Sequence, residues 1–436
     1  MMAGGLILFL LQQLEKSGIT TVYLRNYEML PSDVGNDVDL LIPKGARHNA
    51  FKTILSVLDG TGWNFFRMVE FGPLSVFLVK DDGSELIHLD LFDRMEWHCL
   101  EYANSASIIS NREWNGLVYK PCLADEVFLN IVTRLIYAGS IRDKHRHQLD
   151  DFFDFSENAR NEIENRLAVY FGFDAAKSII KKIVSRDWSG LELDACKIRC
   201  ALLRVSVLRH PASAVQGLLR YMRRSFSRIC QPPGPFIVFE GADGVGKSTV
   251  MDELTPLLKG ITGRSDGLSF HWKPTSTSIK LAGSAGGSPQ PPHDKVARSL
   301  PASFLFLGYH WLGFWLGYLR YVLPARAKNR SVLGDRYSYE FMLDPTRLRL
   351  SLPSWILRIA AFSTPKPDCV VCLVAEPSVI VGRKNELNEI EIERYQGMLR
   401  GLADEVPNFV LINADQGVGG VVRSIRAYLL ARFKNV

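Results

Sequence analysis

The stretch FIVFEGADGVGKST, residues 236–249, contains the pattern GxxxxGK[ST], which constrains the fold around it more than any other feature of the chain. It begins with a short apolar run typical of a buried strand, and the residues that follow it, TVMDELTPLLKG, have a helical pattern. Glycines let the backbone curl so that successive N–H groups face one anion, and a helix N-terminus adds partial positive charge. The motif therefore predicts a strand, a phosphate-binding loop and a helix, in that order.

This loop predicts a binding site for the phosphates of ATP. Lys247 would place a point charge on the β- and γ-phosphates, and the hydroxyl of Ser248 would bind Mg²⁺. A glycine turn that merely joins a strand to a helix is the alternative interpretation. The residues predicted to hold the donor nucleotide are Gly241, Asp243, Gly244, Val245, Gly246, Lys247, Ser248 and Thr249.

The fold class follows from the pattern on both sides of the motif. After the turn-rich segment QPPGP, short apolar runs alternate with long helical stretches. This alternation predicts an α/β fold in which helices cover a parallel sheet. Residues 1–122 also mix strand-like and helix-like runs, whereas apolar residues recur at helical spacing in 123–230. We therefore predict an α/β or α+β domain (1–122), a helical connector domain (123–230) and a P-loop domain (231–436).

The composition is that of a soluble globular protein. Of the 436 residues, 47% are hydrophobic and 22% are charged, which leaves enough apolar side chains for a large core. The seven cysteines lack the spacing of a disulfide framework. This favours a reducing compartment, and we expect the protein to be cytoplasmic. The N-terminal stretch has no basic region before its apolar residues, so an amphipathic helix is predicted there.

Two segments raise the question of a membrane or nucleic-acid partner. Residues 197–230 hold one lysine, seven arginines and no acidic residue, in a chain of net charge +6. A solvated helix face is the simplest interpretation; nucleic acid is not an expected partner, and a peripheral contact with acidic lipid stays open.

Residues 299–319 contain no charged residue. A membrane span there would separate the P-loop from the DRY motif at 335–337, so we predict a buried helix of the P-loop domain.

Four further charged residues are candidates for catalysis. Asp335 and Arg336 end a predicted strand, where open α/β sheets present ligand-binding residues. Asp335 could bind Mg²⁺ through water or steer a nucleophile, and Arg336 could hold an anionic group of the acceptor. Arg383 and Lys384 lie beside a run of glutamates on a predicted helix pair, from which an arginine could stabilise the transferring phosphoryl group. A surface salt bridge and a solvated helix face are the respective alternatives.

The segments FIVFEGADGVGKST, GDRY and VGRKNEL, in this order, resemble the thymidylate kinase branch of the nucleoside monophosphate kinases. The resemblance implies ATP and Mg²⁺ as cofactors, Asp243 as a residue that orients the acceptor, and Arg336 as a contact of the acceptor phosphate. Gly244 stands where some family members carry an arginine, which implies that Arg383, with Lys384, supplies that charge. Asn413, after the last predicted strand, resembles the turn that borders the adenine.

The acceptor side departs from this family. From the tyrosine of DRY the chain reads YSYEFMLDPTRLR, without the short AYQ-like segment that usually follows the serine in thymidylate kinases. At residues 271–274 the chain reads HWKP in the place of the family's RxPG stretch, with Lys273 for the arginine. An anionic acceptor is expected, without dTMP being specified.

Three carboxylates of the first part form a second candidate site. Asp37 and Asp39 lie two apart on a predicted strand and so point to one side, and Asp90 lies on another strand. Carboxylates that converge in this way could hold two divalent metal ions. The pattern resembles the polymerase-β type of nucleotidyltransferase, without the family's Gly-Ser pair and with Arg25 as the candidate anion contact. An active transferase, a recognition domain and strand-end aspartates without a metal all stay open.

Together these features predict an ATP-dependent phosphotransferase fused to a nucleotidyltransferase-like domain. The predicted partners are a nucleotide, sugar or sugar-phosphate acceptor and a second copy of the chain in a homodimer. A fusion of these domain types resembles proteins of cell-surface polysaccharide assembly. The alternatives are a genuine dTMP kinase, a nucleotidyltransferase with an accessory kinase, and a nucleotide-switched interaction protein at a membrane surface.

Overall fold

A computed structural model describes residues 1–35, 37–155, 157–275, 280–281, 297–383 and 389–434. Within these ranges the chain divides into two compact units, Met1–Phe226 and Ser227–Lys434. The division falls close to the predicted boundary at residue 230. Residues 1–122 lie in the same unit as most of the predicted helical connector, and the division of this half into two domains stays a prediction.

The first unit contains a five-stranded sheet in the order β1-β2-β5-β4-β3. Only β2 and β5 are parallel, and their register places Asp39 directly beside Asp90. Two short hairpins, β6 with β7 and β8 with β9, follow the sheet along the chain. The strands are β1 Val22–Tyr23, β2 Val38–Leu41, β3 Trp63–Glu70, β4 Leu74–Lys80, β5 Leu86–Phe92, β6 Met95–Trp97, β7 Leu100–Ala103, β8 Glu113–Trp114 and β9 Tyr119–Lys120.

Helices cover this sheet and continue its core. Val22 and Leu41 of the sheet share one apolar cluster with Ile131 and Leu167 of the helical region, so burial joins the two parts. The predicted N-terminal helix is confirmed as α1. The helices are α1 Ala3–Lys16, α2 Arg47–Ser56, α3 Ser105–Ser110, α4 Leu123–Thr133, α5 Asp143–Phe155, α6 Glu157–Phe171, α7 Phe173–Val184, α8 Trp188–Leu193, α9 Ala195–Arg209 and α10 Pro211–Cys230; a π-helical turn, Arg134–Ala138, follows α4.

The second unit contains a six-stranded sheet in the order β12-β11-β13-β10-β14-β15. All neighbouring pairs are parallel except β11 and β12. The central strand β10 is buried along its whole length, as expected for a parallel sheet covered on both faces. The predicted fold class of this region is confirmed. The strands are β10 Phe236–Glu240, β11 Leu268–His271, β12 Lys280–Leu281, β13 Val332–Asp335, β14 Cys369–Val374 and β15 Phe409–Asn413.

The uncharged segment at 299–319 forms helix α12, but only one face of it is buried. Leu307 and Phe314 enter the core, whereas Leu305, Tyr309 and Leu316 are exposed, so the prediction of a buried helix was only half right. No helix in the described ranges is long and apolar enough to span a bilayer. The helices of this unit are α11 Lys247–Thr262, α12 Leu300–Gly317, α13 Leu323–Ala327, α14 Glu340–Leu343, α15 Ser354–Phe362, α16 Pro377–Arg383, α17 Glu389–Glu405 and α18 Gly417–Arg432; a π-helical turn, Tyr318–Val322, and a 3₁₀ turn, Ala414–Gln416, complete it.

Candidate functional site

The glycine-rich loop joins the end of β10 to the start of α11, as the motif predicts. Gly244 and Gly246 have φ angles of 93° and 99°, a region that glycine enters without the steric penalty of a side chain. A Cβ atom on Gly241 would lie 2.8 Å from the carbonyl oxygen of Leu373 in the neighbouring strand. The loop conformation therefore depends on glycine at these positions.

Lys247 lies inside this loop. Its side chain is 6% exposed, and Nζ donates hydrogen bonds to the carbonyl oxygens of Gly241 at 2.8 Å and Ala242 at 3.2 Å. Burial, and then the positive charge on Arg336, lowers the pKa of Lys247 below its ordinary value. Ser248, in contrast, is exposed on the first turn of α11. Two carbonyl groups thus hold the ammonium group of Lys247 at the loop. A bound anion would compete with them for this ammonium group.

Asp335 lies at the carboxyl end of β13, the strand next to β10. One carboxylate oxygen lies 2.9 Å from Nδ1 of His271, which the parallel register of β11 and β13 places beside it. The other oxygen is buried and has no hydrogen-bond partner among the described residues. Burial alone would raise the pKa of Asp335, but the hydrogen bond with His271 and the charge on Lys247 lower it.

These oxygen atoms fit the requirements of Mg²⁺. The ion prefers hard oxygen ligands and is usually held by one or two carboxylates together with substrate phosphates. The unpaired oxygen of Asp335 and the exposed hydroxyl of Ser248 are such ligands. The residues present therefore fit the predicted metal.

Arg336 joins the loop to the helix that follows β13. Its Nη2 lies 2.6 Å from Oδ1 of Asp243, and its Nη1 lies 2.8 Å from Oε2 of Glu340. Arg347 lies 3.7 Å from both carboxylates. Arg336 is 3% exposed and has a φ of 70°, a conformation that costs energy for a residue with a side chain and is commonly found at functional sites.

The acidic residues of this cluster differ in the direction in which their surroundings shift the pKa. Burial disfavours the ionised form of Asp243, but Arg336, Lys247 and Arg347 hold its pKa well below the usual range. Glu340 is also fully buried, and the two arginines lower its pKa. Burial and the nearby charge of Glu340 instead raise the pKa of Glu240. The cluster therefore contains two carboxylates paired with arginine and a third carboxyl group, that of Glu240, whose pKa is raised.

Arg383 and Asn413, also predicted for this site, form no hydrogen bond or ion pair with the cluster among the described residues. Arg383 is exposed at the end of α16, and no hydrogen bond or ion pair with another described residue joins it to the loop. Lys384 lies outside the described residues. The side chain of Asn413 caps the turn after β15 by accepting a hydrogen bond from the N–H of Asp415 at 2.8 Å.

Sequence reasoning missed several members of the cluster. Glu340 follows Arg336 by four residues, and this spacing could have suggested a pair. Tyr395 donates a hydrogen bond to Glu340 at 2.8 Å from 55 residues away, and His271 reaches Asp335 from 64 residues away. No local pattern in the sequence signals contacts at such separations.

An aromatic and cationic group adjoins Asp335. The backbone N–H of Trp272 donates to the carbonyl oxygen of Asp335 at 2.7 Å, and the Trp272 ring lies 4.6 Å from that of His310. Nζ of Lys273 lies 3.2 Å from Nδ1 of His310 and 4.7 Å from the centre of the Tyr309 ring. Burial and the charge on Lys273 lower the pKa of His310 to about 4. This histidine is therefore neutral near pH 7, and Lys273 carries the positive charge.

The carboxylates of the first unit are already paired with other side chains. Arg25 donates to Asp37 at 2.7 Å and also pairs with Asp39. Asp90 accepts a hydrogen bond from Ser75 and lies 3.0 Å from Nε2 of His88. Burial raises the pKa of Asp39 to about 6, against the opposing effect of Arg25.

This arrangement does not itself form a metal cage. Within the described ranges, no group of three or more His, Cys, Asp or Glu side chains is placed to hold a metal ion. A cavity of about 380 Å³ borders Asp37 and His88. The metal role of Asp37, Asp39 and Asp90 stays a prediction.

The second unit thus combines an α/β sheet with a glycine-rich loop and charged residues at the carboxyl ends of its strands. In an alignment of 204 positions that takes in 42% of its length, the chain is 26% identical to a probable thymidylate kinase of Methanosarcina barkeri (strain Fusaro / DSM 804), of which it covers 89%. The crystal structure of thymidylate kinase from Ehrlichia chaffeensis covers 45% of the chain and is itself covered completely, at 16% identity and a TM-score of 0.32. No family model matches the chain. Somewhat less than half of the chain is therefore similar to thymidylate kinases, and neither likeness bears on a nucleotidyltransferase domain.

Proposed function

We propose that the second unit is an ATP-dependent phosphotransferase that moves the γ-phosphoryl group of Mg·ATP to an oxygen of a small acceptor. The observation that carries this proposal is the ion pair between the loop residue Asp243 and Arg336, at 2.6 Å. It links the phosphate-binding loop to the end of β13, so that donor-binding and acceptor-binding groups would lie side by side. The likeness to a probable thymidylate kinase supports the same reaction class.

The reaction is a direct in-line transfer. The acceptor oxygen forms a bond with the γ-phosphorus while the bond from that phosphorus to the β,γ-bridging oxygen breaks, and ADP leaves. The backbone N–H groups from Gly241 to Thr249 would hold the donor, and Lys247 would exchange its carbonyl partners for phosphate oxygens. Ser248 and Asp335 would hold Mg²⁺, which would neutralise negative charge on the phosphates. Arg383 would close over the transferring group.

A nucleoside monophosphate is the first acceptor to test. The aromatic rings of Trp272 and His310 offer a surface for a base, and Lys273 and Arg336 offer cations for a phosphate. Arg336 is already engaged by Asp243 and Glu340, so a bound phosphate would share it. Sugar and sugar-phosphate acceptors are the second candidates, because HWKP and YSYE differ from the corresponding thymidylate kinase segments.

The decisive experiment is to incubate the purified protein with Mg·ATP and a panel of nucleoside monophosphates, sugars and sugar phosphates, and to identify products by mass spectrometry. We expect a phosphorylated acceptor and ADP with the wild type, and a loss of about a hundredfold or more with Lys247→Ala. Lys259→Ala is the matched control, because Lys259 is exposed on the same helix. The proposal would be wrong if no acceptor were phosphorylated, or if both variants were equally active.

The first unit is proposed as a nucleotidyltransferase-like domain that acts on a related substrate. Support comes from the side-by-side placement of Asp39 and Asp90 on parallel strands. The double variant Asp37→Ala with Asp39→Ala should abolish nucleotidyl transfer while leaving phosphorylation of the acceptor unchanged. Unchanged nucleotidyl transfer would contradict this role.

A homodimer is likewise proposed, and sedimentation measurements of the full chain would test it.

A further inference from the structure

The orientation of α10 is fixed by a polar inner face. Arg224 is 5% exposed, and its guanidinium donates to the buried carboxylate of Glu96 and, at 3.1 Å, to the carbonyl oxygen of Gly72. Arg220 also reaches Glu96, at 3.4 Å. A Cβ atom on Gly217 would lie 2.1 Å from the carbonyl oxygen of Cys99, so the helix backbone packs closely at that point. These contacts leave little freedom to rotate the helix about its axis.

The opposite face of α10 is an exposed apolar stripe. An α-helix turns 100° per residue, so residues three, four, seven and eleven apart fall on one side. The side chains at these positions are large and apolar, and between 47% and 69% of each is exposed; they are Val215, Leu218, Leu219, Met222 and Phe226. We call these five residues the α10 stripe. The two faces of α10 are therefore opposite in polarity to those of a usual surface helix: arginines pack inward and apolar side chains face the solvent.

Three arginines of α9 and α10 carry a charge that pairs with no described carboxylate. Residues 197–230 contain no acidic residue. Arg204, Arg209 and Arg223 are exposed, and none of them forms an ion pair with another described residue. Arg223 follows Met222 and so lies 100° around the helix, at the border of the stripe. An apolar stripe with an unpaired arginine at its border, and two more on the preceding helix, is the pattern of a helix that lies in the interface of an anionic bilayer.

We propose that the α10 stripe docks this protein on the surface of a membrane that contains anionic lipids. The apolar side chains would enter the boundary between headgroups and acyl chains, and the three arginines would contact lipid phosphates. A second copy of the chain fits this face less well, because an antiparallel pair of α10 helices would bring arginines together without acidic partners. A nucleic acid would use the arginines but would leave the apolar stripe in water.

The test is flotation of the full chain with vesicles of phosphatidylcholine alone and of phosphatidylcholine with phosphatidylglycerol. We expect binding to the anionic vesicles only, and weaker binding as salt concentration rises. Leu219→Ser with Phe226→Ser should lower the partition coefficient at least about tenfold, because both side chains would leave the interface. Arg223→Gln should lower it about fivefold.

The matched control is Phe173→Ser, which removes an aromatic side chain that is 61% exposed on another helix and should bind like the wild type. Because the substituted side chains are exposed, circular dichroism should show the same fold in every variant. The proposal would be overturned if the wild type ignored anionic vesicles, or if the stripe variant bound them as strongly as the wild type. A stripe variant that changed only the oligomeric mass would assign this face to a second copy instead.

Discussion

The guanidinium of Arg336 lies between two carboxylates, 2.6 Å from Asp243 and 2.8 Å from Glu340. One carboxylate belongs to the glycine-rich loop and the other to α14, so a single cation joins the two elements. Because the group is nearly inaccessible to water, its charge and those of its partners are weakly screened. Removal of one member should therefore affect stability as well as activity.

Arg336→Ala should lower the free energy of unfolding by about 3–5 kcal/mol, since it leaves two buried carboxylates without their partner. Urea denaturation measures this value. The double variant Arg336→Ala with Glu340→Gln should be less destabilised than the sum of the two single variants, because the second change removes one unpaired charge. Arg358→Ala, which breaks an exposed ion pair with Glu405, is the control and should change stability by less than about 1 kcal/mol. A purely additive double variant would contradict the pairing.

Gly246→Ala should destabilise the protein by about 1–2 kcal/mol and weaken ADP binding, because its φ of 99° is unfavourable for alanine. Thermal unfolding and calorimetry with ADP measure the two effects. Gly397→Ala is the control: it lies inside α17 with open space around its Cβ position, so alanine should be neutral or stabilising by up to about 1 kcal/mol. Equal effects of the two substitutions would argue against the loop conformation.

The raised pKa of Asp39, about 6, predicts a pH dependence of stability. The unfolded chain releases this proton near pH 4, whereas the folded chain keeps it to about pH 6. The associated stabilisation is therefore fully present below about pH 4 and is lost as the pH rises through about 6, by roughly 3 kcal/mol in total. Urea titrations across this range should show a flatter profile for Asp39→Asn, while Asp59→Asn, at an exposed position, should keep the wild-type slope. If the free energy of unfolding depended on pH equally in the wild type, Asp39→Asn and Asp59→Asn, Asp39 would not be buried as described.

Arg383→Ala should lower kcat by about a hundredfold or more while leaving ADP affinity nearly unchanged, if this arginine stabilises the transferring phosphoryl group. Steady-state kinetics and calorimetry separate the two quantities. Arg400→Ala, at an exposed position on the following helix, should leave both unchanged. A loss of ADP affinity without a loss of kcat would place Arg383 in nucleotide binding instead.

Much of the candidate phosphate-binding site could be predicted from the sequence because its residues are neighbours along the chain. The glycines, Lys247 and Ser248 belong to one continuous segment, and β10 and α11 flank it as the pattern indicates. Asp335 was predicted from its position at a strand end. Its partner His271 was not, because the register of β11 and β13 decides that contact.

The charged segment at 197–230 shows the opposite case. From composition its arginines are typical of a solvated face, yet Arg224 is buried against Glu96 and the apolar side chains are exposed. Helical periodicity indicates that two faces exist, but it does not say which of them packs inward. The inward face is set by the contact of Arg224 with the buried carboxylate of Glu96, 128 residues away.

The sequence alone determined the alternation of strands and helices in the second unit and the strand, glycine-rich loop and helix around residues 236–249, because these depend on neighbours along the chain. Only the tertiary structure decided which carboxylates pair with Arg336, which residue contacts Asp335 and which face of α10 is exposed. These outcomes depend on strand register and on the burial of charges between distant segments, where the free energy of desolvation must be offset by a specific partner.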